Sequence, residues 1–265
     1  MRVWAVANQK GGVGKTTTVV SLAGHLSMQG YKTLILDMDP HGSMSSYFGL
    51  DPDTIKQSLY QIFQAKKNVL ALSVASLICG TNFKNLSLLP ASTALATLDR
   101  QLGTIDGMGL IVRNSLVNIQ SRFDFVIIDC PPQLGVLMVN ALAACDHLII
   151  PVQTEFLALK GLERMTHTLQ MINKVKNIDQ CLQFTILPTM YDCRTRASIY
   201  TLKELNDKYK ENIWDSVIPV DTQFREASKA GKPLPVMSPK DRGSVAYKEF
   251  LDYLVKSDIP QSKVS

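Results

Sequence analysis

The chain is 265 residues long, 46% hydrophobic and 19% charged, an ordinary globular composition with enough apolar residues for a sizeable core. Its formal net charge of +5 is spread along the sequence, so it permits an anionic partner without demanding one. No run approaches the roughly 18 apolar residues of a membrane span, and the N-terminus leads straight into a strand-like segment instead of an export signal, which points to a soluble cytoplasmic protein.

Val3-Trp4-Ala5-Val6-Ala7 opens the chain as a β-prone run. A glycine-rich loop follows, and then a segment from Gly14 to about Gln29 that suits a helix ended by Gly30. Thr33–Asp37 is the next strand candidate, with further ones at Leu86–Leu89, Phe125–Asp129, Leu148–Val152, Phe184–Leu187 and Trp214–Ile218. Most are continuous apolar runs, as in a parallel sheet covered on both faces. Helices predicted at Leu95–Gln120, Val136–Ala144, Leu157–Lys176, Thr195–Tyr209 and Ser244–Val255 alternate with them, whereas Gly231–Pro239, with three prolines, reads as a surface loop. The order predicts one α/β domain over residues 1–265: a doubly wound, mostly parallel sheet of about seven or eight strands, flanked by helices through right-handed crossovers.

The five cysteines, Cys79, Cys130, Cys145, Cys181 and Cys193, are scattered and never spaced C-x-x-C, so they read as reduced, mostly buried thiols. The histidines His25, His41, His147 and His167 form no ligand-spaced pair.

In open α/β sheets ligands sit beyond the carboxyl ends of the strands, so the informative residues are those that follow each one. After the first comes Lys10-Gly11-Gly12-Val13-Gly14-Lys15-Thr16-Thr17. It ends as a phosphate-binding loop ends, but Gln9 stands where the G-x-x-x-x-G-K-[ST] pattern has its first glycine, and a second lysine, Lys10, follows. The glycines let backbone N–H groups approach phosphate oxygens, Lys15 can reach the β- and γ-phosphates, and Thr16 can ligate magnesium. After the second strand lies Asp37-Met38-Asp39-Pro40, where Asp37 reads more as a carboxylate that caps local backbone or holds a loop than as a functional one, and Asp39 reads as functional. After the strand at 125–129, Asp129 closes an apolar run in the usual form of a magnesium-supporting carboxylate.

Taken together, KGGVGKTT at 10–17, DMDPHGS at 37–43 and VIIDCPP at 126–132 resemble the ParA/MinD family of deviant Walker ATPases. The similarity continues through IIPVQTEFLALKGL at 149–162, ILPTMYDCRTRAS at 186–198 and IPVDTQFREASKAGKPLP at 218–235. Within the family it is most like the short ParA type, since the ATPase core starts at Met1 without an upstream helix-turn-helix domain. The resemblance implies ATP and Mg²⁺ as cofactors. It implies that Lys10 reaches across a nucleotide-sandwich homodimer to phosphates held by the other subunit, as an arginine finger does. It implies a water-positioning role for Asp39, support of magnesium by Asp129 through a coordinated water, a phosphate contact for Thr17, and places for Pro219 and Asp221 near the adenine. Here Pro-Val-Asp replaces the commoner Pro-Arg-Asn, which weakens the base contact, and His41 stands where glutamine is common and reads as a loop-packing residue.

As function, the resemblance implies an ATP switch for plasmid or chromosome partitioning. Its ATP dimer binds double-stranded DNA without sequence preference on the nucleoid, and a ParB-like partner stimulates hydrolysis. Arg194, Arg196, Arg225, Lys229 and Lys232 lie where the family places its DNA-contacting surface, interleaved with Glu204, Asp207 and Glu226 as on an ordinary solvated face. Positioning of a protein cargo over the nucleoid shares every motif. A MinD-like membrane role needs a basic amphipathic C-terminal helix, and the tail from Tyr253 is broken by Pro260, so no stable membrane anchor is expected.

Overall fold

The computed structural model describes residues 1–65, 73–98, 108–174 and 181–258. Residues 99–107 of the helix expected over 95–120, the last two of the helix expected to end at 176, and tail residues 259–265 lie outside the described residues.

Seven strands form one sheet: β1 (Arg2–Val6), β2 (Thr33–Asp37), β3 (Cys79–Gly80), β4 (Leu86–Leu89), β5 (Phe125–Asp129), β6 (His147–Gln153) and β7 (Gln183–Thr189). They lie in the order β3-β4-β2-β5-β1-β6-β7, every pair parallel except β3 with β4. The described helices are α1 (Lys15–Met28), α2 (Ser43–Tyr47), α3 (Leu59–Ala65), α4 (Ile111–Val117), α5 (Val136–Ala144), α6 (Phe156–Lys174), α7 (Arg196–Tyr209), α8 (Gln223–Ala230), α9 (Leu234–Met237) and α10 (Arg242–Asp258).

Most strands are largely apolar and buried because both faces of the sheet are covered. Alternate side chains of β1 divide between two cores: Val3 and Ala5 join Leu34, Leu36, Val126 and Ile128, while Trp4 and Val6 join Ile35, Phe125 and Ile127. The first core is closed by α3 to α6 through residues such as Phe63, Leu116, Leu142 and Leu162. The second is closed by α1 and α10 through Leu22, Leu26, Tyr247, Phe250 and Leu254.

Three expectations fail. Of the five cysteines only Cys130 is buried; Cys79, Cys145 and Cys181 are half-buried and Cys193 is exposed. Trp214–Ile218 is not a strand: only isolated bridges, Ile186 with Ile213 and Tyr191 with Pro219, tie this stretch to the edge of β7. Ile218 N–H donates to the Pro188 carbonyl at 2.8 Å, and since a strand residue points its N–H and C=O to the same side, the donor that Pro188 lacks is the one this pairing would need. The segment Gly231–Pro239 is not a plain surface loop either. It contains α9, whose Leu234 and Pro235 are buried, and a Cβ on Gly24 of α1 would come within 2.7 Å of Pro233 Cβ, so this turn packs directly on α1. The short helices α2 and α3, and the antiparallel β3, carry too little periodic pattern to be read from sequence, whereas α8 is amphipathic but only 8 residues long.

The parallel register brings the carboxyl ends of β1, β2, β5, β6 and β7 to one edge, with Asp37 paired to Asp129 and Val6 paired to Asp129 on its other side. Among the described residues no helix is long and apolar enough to cross a membrane.

Candidate functional site

The loop after β1 is held by its ends. Asn8, fully buried, donates from Nδ2 to the Pro151 carbonyl at 2.8 Å and accepts Lys10 N–H at 3.0 Å, so it ties the loop's entry to β6. Val13 is buried, and its carbonyl accepts the Thr189 hydroxyl at 2.9 Å from the end of β7. Gly12 (φ +75°) and Gly14 (φ +89°) occupy the left-handed region that a side chain would strain, while exposed Gly11 has open space where a Cβ would stand. Gly14 precedes α1, and Thr18 returns both its N–H and its hydroxyl to the Gly14 carbonyl, so the loop delivers its backbone to the positive end of that helix.

Lys15 is 8% exposed and donates to the Lys10 carbonyl at 3.2 Å, so its ammonium lies inside the loop. Gln9 gives a structural reason for the missing glycine: its Nε2 donates to Thr168 Oγ1 at 3.1 Å, which fastens the loop's first residue to α6. Lys10 pairs with Glu155.

Thr16 Oγ1 donates to Asp129 Oδ2 at 2.6 Å, and Asp129 Oδ1 is buried with no hydrogen-bond partner. An orphaned carboxylate oxygen beside a hydroxyl fits a hydrated divalent cation, and burial with the neighbouring Asp37 charge pushes the Asp129 carboxyl well above the usual range. Among the described residues no group of three or more His, Cys, Asp or Glu could hold a metal alone, so a cation beside Thr16 and Asp129 would take its remaining ligands from water or a bound ligand.

The two carboxylates after β2 have different surroundings. Asp37 is fully buried and accepts from Ser45 N–H and Ser45 Oγ, both at 2.7 Å, and from Asp39 N–H at 3.2 Å; the Ser45 hydroxyl accepts Ala91 N–H in turn. It therefore holds the loop and α2, the capping alternative of the two, and burial pushes its pKa up to about 6. Asp39 is freer: Oδ1 accepts His41 N–H at 3.0 Å and faces His41 Nδ1 at 2.9 Å. His41 is not packed into the loop as expected; its side chain is 79% exposed and it touches the Asp39 carboxylate.

A cleft of about 670 Å³ runs from Gly14, Thr17 and Thr189 to Pro219, Val220, Asp221, Phe224 and Tyr247, a size suited to a nucleotide. Pro219 and Asp221 line it, but the Asp221 carboxylate accepts Gln223 N–H at 2.9 Å and Gly243 N–H at 3.0 Å, which joins the starts of α8 and α10. Phe224 and Tyr247, in edge contact at 5.7 Å, supply the apolar wall; neither stands out in the sequence, because only the packing of α8 on α10 brings them together.

The five basic candidates do not form one uniform patch. Arg225 and Lys229 are exposed and line the nucleotide cleft. Arg194 is exposed but forks onto Asp192, at 2.9 and 2.7 Å, and its hydrogen bonds hold the Asp192 carboxyl down to about 2. Arg196 is the first residue of α7, where the helix dipole disfavours a cation, and Lys232 follows α8 with its carbonyl accepting the Tyr47 hydroxyl.

A family model described as an AAA domain matches residues 1–183. The sporulation initiation inhibitor protein Soj of Bacillus subtilis (strain 168) is 35% identical over 246 residues, 93% of this chain and 95% of that protein. The chromosome partitioning protein ParA of Myxococcus xanthus (strain DK1622) is 33% identical over 261 residues, 98% of this chain and 90% of that one. A Mycobacterium smegmatis crystal structure described as cobyrinic acid a,c-diamide synthase with bound ADP and magnesium is 34% identical and superposes with a TM-score of 0.82, covering 96% of this chain and 94% of its own. A phosphate loop at the switch point of a parallel sheet, its paired threonine and aspartate, and similarity along nearly the full length of Soj and ParA lead to one conclusion: the chain belongs to the ParA/Soj family of P-loop partitioning ATPases.

Proposed function

We propose that this ATPase acts as a DNA-partitioning switch, in which an ATP-bound sandwich homodimer binds DNA without sequence preference and a ParB-like partner triggers hydrolysis. The observation that carries the nucleotide part is the orphaned Asp129 Oδ1 beside Thr16, at the mouth of a loop whose glycines leave backbone donors open. Glycines 11, 12 and 14 present N–H groups to the phosphates, Lys15 exchanges the Lys10 carbonyl for β- and γ-oxygens, and Thr17 adds a hydroxyl contact. Thr16 and Asp129 would hold magnesium, Asp129 through water; the ion supplies charge neutralisation on the β- and γ-phosphates. Asp39 orients the attacking water, and Lys10 reaches the partner's phosphates. The base lies in the cleft by Pro219 and Phe224, with Asp221 shaping the wall.

Two placements support DNA as the surface read by the dimer. Arg196 is an exposed cation at a helix start, where an outside phosphate would offset the unfavourable helix dipole, and Arg225 and Lys229 sit on a helix that also lines the nucleotide cleft, so phosphate contacts there are coupled to nucleotide state. Lys232 adds to this group, and Arg194 joins it by giving up Asp192.

The test is a salt-series binding assay on two unrelated duplexes, with ATP and with ADP. Binding is expected with ATP alone, equal for both duplexes and falling steeply with salt. Arg196→Glu, away from the cleft, should remove it while ATP affinity persists, and Arg225→Glu with Lys229→Glu should remove it as well. Equal binding in both nucleotide states, or none in either, refutes the DNA role and favours a protein cargo.

A further inference from the structure

We infer that Glu155 is a positioning residue that holds Lys10 within its own protomer, so that Lys10 must exchange this carboxylate for the partner's triphosphate before a sandwich can close. The inference rests on the cross-subunit reading of Lys10 given above.

Three observations meet at one place. The Lys10 ammonium is paired with the Glu155 carboxylate, and the two side chains are 26% and 41% exposed, so the pair is partly shielded yet open to exchange. Glu155 stands immediately before α6, and its backbone carbonyl accepts Ala158 N–H at 3.0 Å, so the residue sits at the positive end of a helix of 19 residues, where a carboxylate is favoured. The root of Lys10 is fixed as well: its N–H donates to Asn8 Oδ1 at 3.0 Å, and a methyl group on Gly161 of α6 would stand only 3.2 Å from Lys10 Cβ.

The consequence is a side chain on a fixed base with two competing anions. Within its own protomer, among the described residues, the anion paired with it is Glu155. When a partner presents its nucleotide, a triphosphate offers more charge than one carboxylate and draws the ammonium across, whereas a diphosphate lacks the terminal group and competes less well. Glu155 thereby sets a threshold that favours ATP over ADP for closure. Its removal should let Lys10 move freely and make the dimer easier to form. A partly exposed ion pair of this kind shifts an equilibrium by up to about fivefold, and a symmetrical dimer opens two, so the dimer dissociation constant should tighten by between about twofold and about twenty-five-fold.

Two measurements on the full chain test this with Glu155→Gln, a change of charge without a change of size. The first is reductive methylation of amines in the nucleotide-free protein, resolved by residue in a mass spectrometer, with exposed Lys32 as the internal reference. Lys10 should react several-fold faster in the variant while Lys32 is unchanged. The second is sedimentation with ATP and magnesium, where the variant should dimerise at lower protein concentration. Unchanged Lys10 reactivity overturns the restraint. A looser dimer in Glu155→Gln overturns it too, because Glu155 would then serve the closed state. If Lys10→Ala dimerises as the wild type does, the cross-subunit reading fails by itself, and the methylation result shows separately whether the pair restrains Lys10.

Discussion

Replacing Lys15 by methionine removes one charge from the site and keeps an unbranched stem of similar length. The ammonium, on a side chain 8% exposed, donates to the Lys10 carbonyl at 3.2 Å, a bond to a neutral acceptor that contributes about 1 kcal/mol net. Exchanging it for phosphate therefore costs little. Each charge-assisted bond to a phosphate oxygen contributes about 1.5–3 kcal/mol, so two of them less the surrendered bond leave about 2–5 kcal/mol. Lys15→Met should accordingly weaken ATP binding by about 30-fold to several thousand-fold. The assay is a calorimetric titration with a non-hydrolysable ATP analogue and magnesium at fixed ionic strength, beside a urea unfolding curve for the empty protein. The folded state loses only the one bond, so its stability should change by about 1 kcal/mol or less. An affinity within threefold of the wild type would refute the phosphate-loop assignment.

Asp129→Asn keeps an acceptor for the Thr16 hydroxyl but withdraws the charge that supports the cation, so the magnesium needed for half-maximal ATP binding should rise by about 10- to 100-fold, as for other outer-sphere supports of a metal. A magnesium titration at fixed ATP checks this, and an unchanged requirement contradicts it. The pH dependence of stability tests the buried carboxylate after β2. Burial raises the Asp37 pKa from 3.8 to about 6, so between those values the folded state holds a proton that the unfolded chain has released, and the contribution of Asp37 to stability falls as pH rises through that window. Thermal unfolding of the nucleotide-free protein should therefore show Asp37→Asn gaining on the wild type from about pH 4 to about pH 6, and a gap that is constant or moves the other way contradicts the assignment.

The parts of the site that are legible in the sequence are those carried by a few consecutive residues. The glycines of 11–14 need their conformation whatever surrounds them, and two of them adopt it. Asp37 and Asp129 each close an apolar run, and adjacency of β2 and β5 makes them neighbours. What is not legible depends on partners distant in the chain. Lys10 and Glu155 are 145 residues apart and meet only because β6 lies beside β1, although Glu155 stands within a segment already notable for its likeness to the family. Asp221 is assigned to the base by position, but its two acceptor bonds to the starts of α8 and α10 can be seen only when the helices are packed. The mistaken strand at 214–218 is a β-prone stretch beside a proline whose missing donor faces it, which local pattern cannot show. By contrast the Asp192–Arg194 fork spans two residues and was open to a local reading; only the count of basic residues concealed it.

An ATP switch made by two chains is tested most directly by sedimentation velocity with magnesium. The wild type is expected to be a dimer with ATP and a monomer with ADP. Lys10→Ala should bind ATP and remain a monomer, and Asp39→Ala should stay dimeric with ATP because hydrolysis is slow. A wild-type protein that is monomeric with ATP, or a Lys10→Ala protein that dimerises as readily as the wild type, would contradict the account.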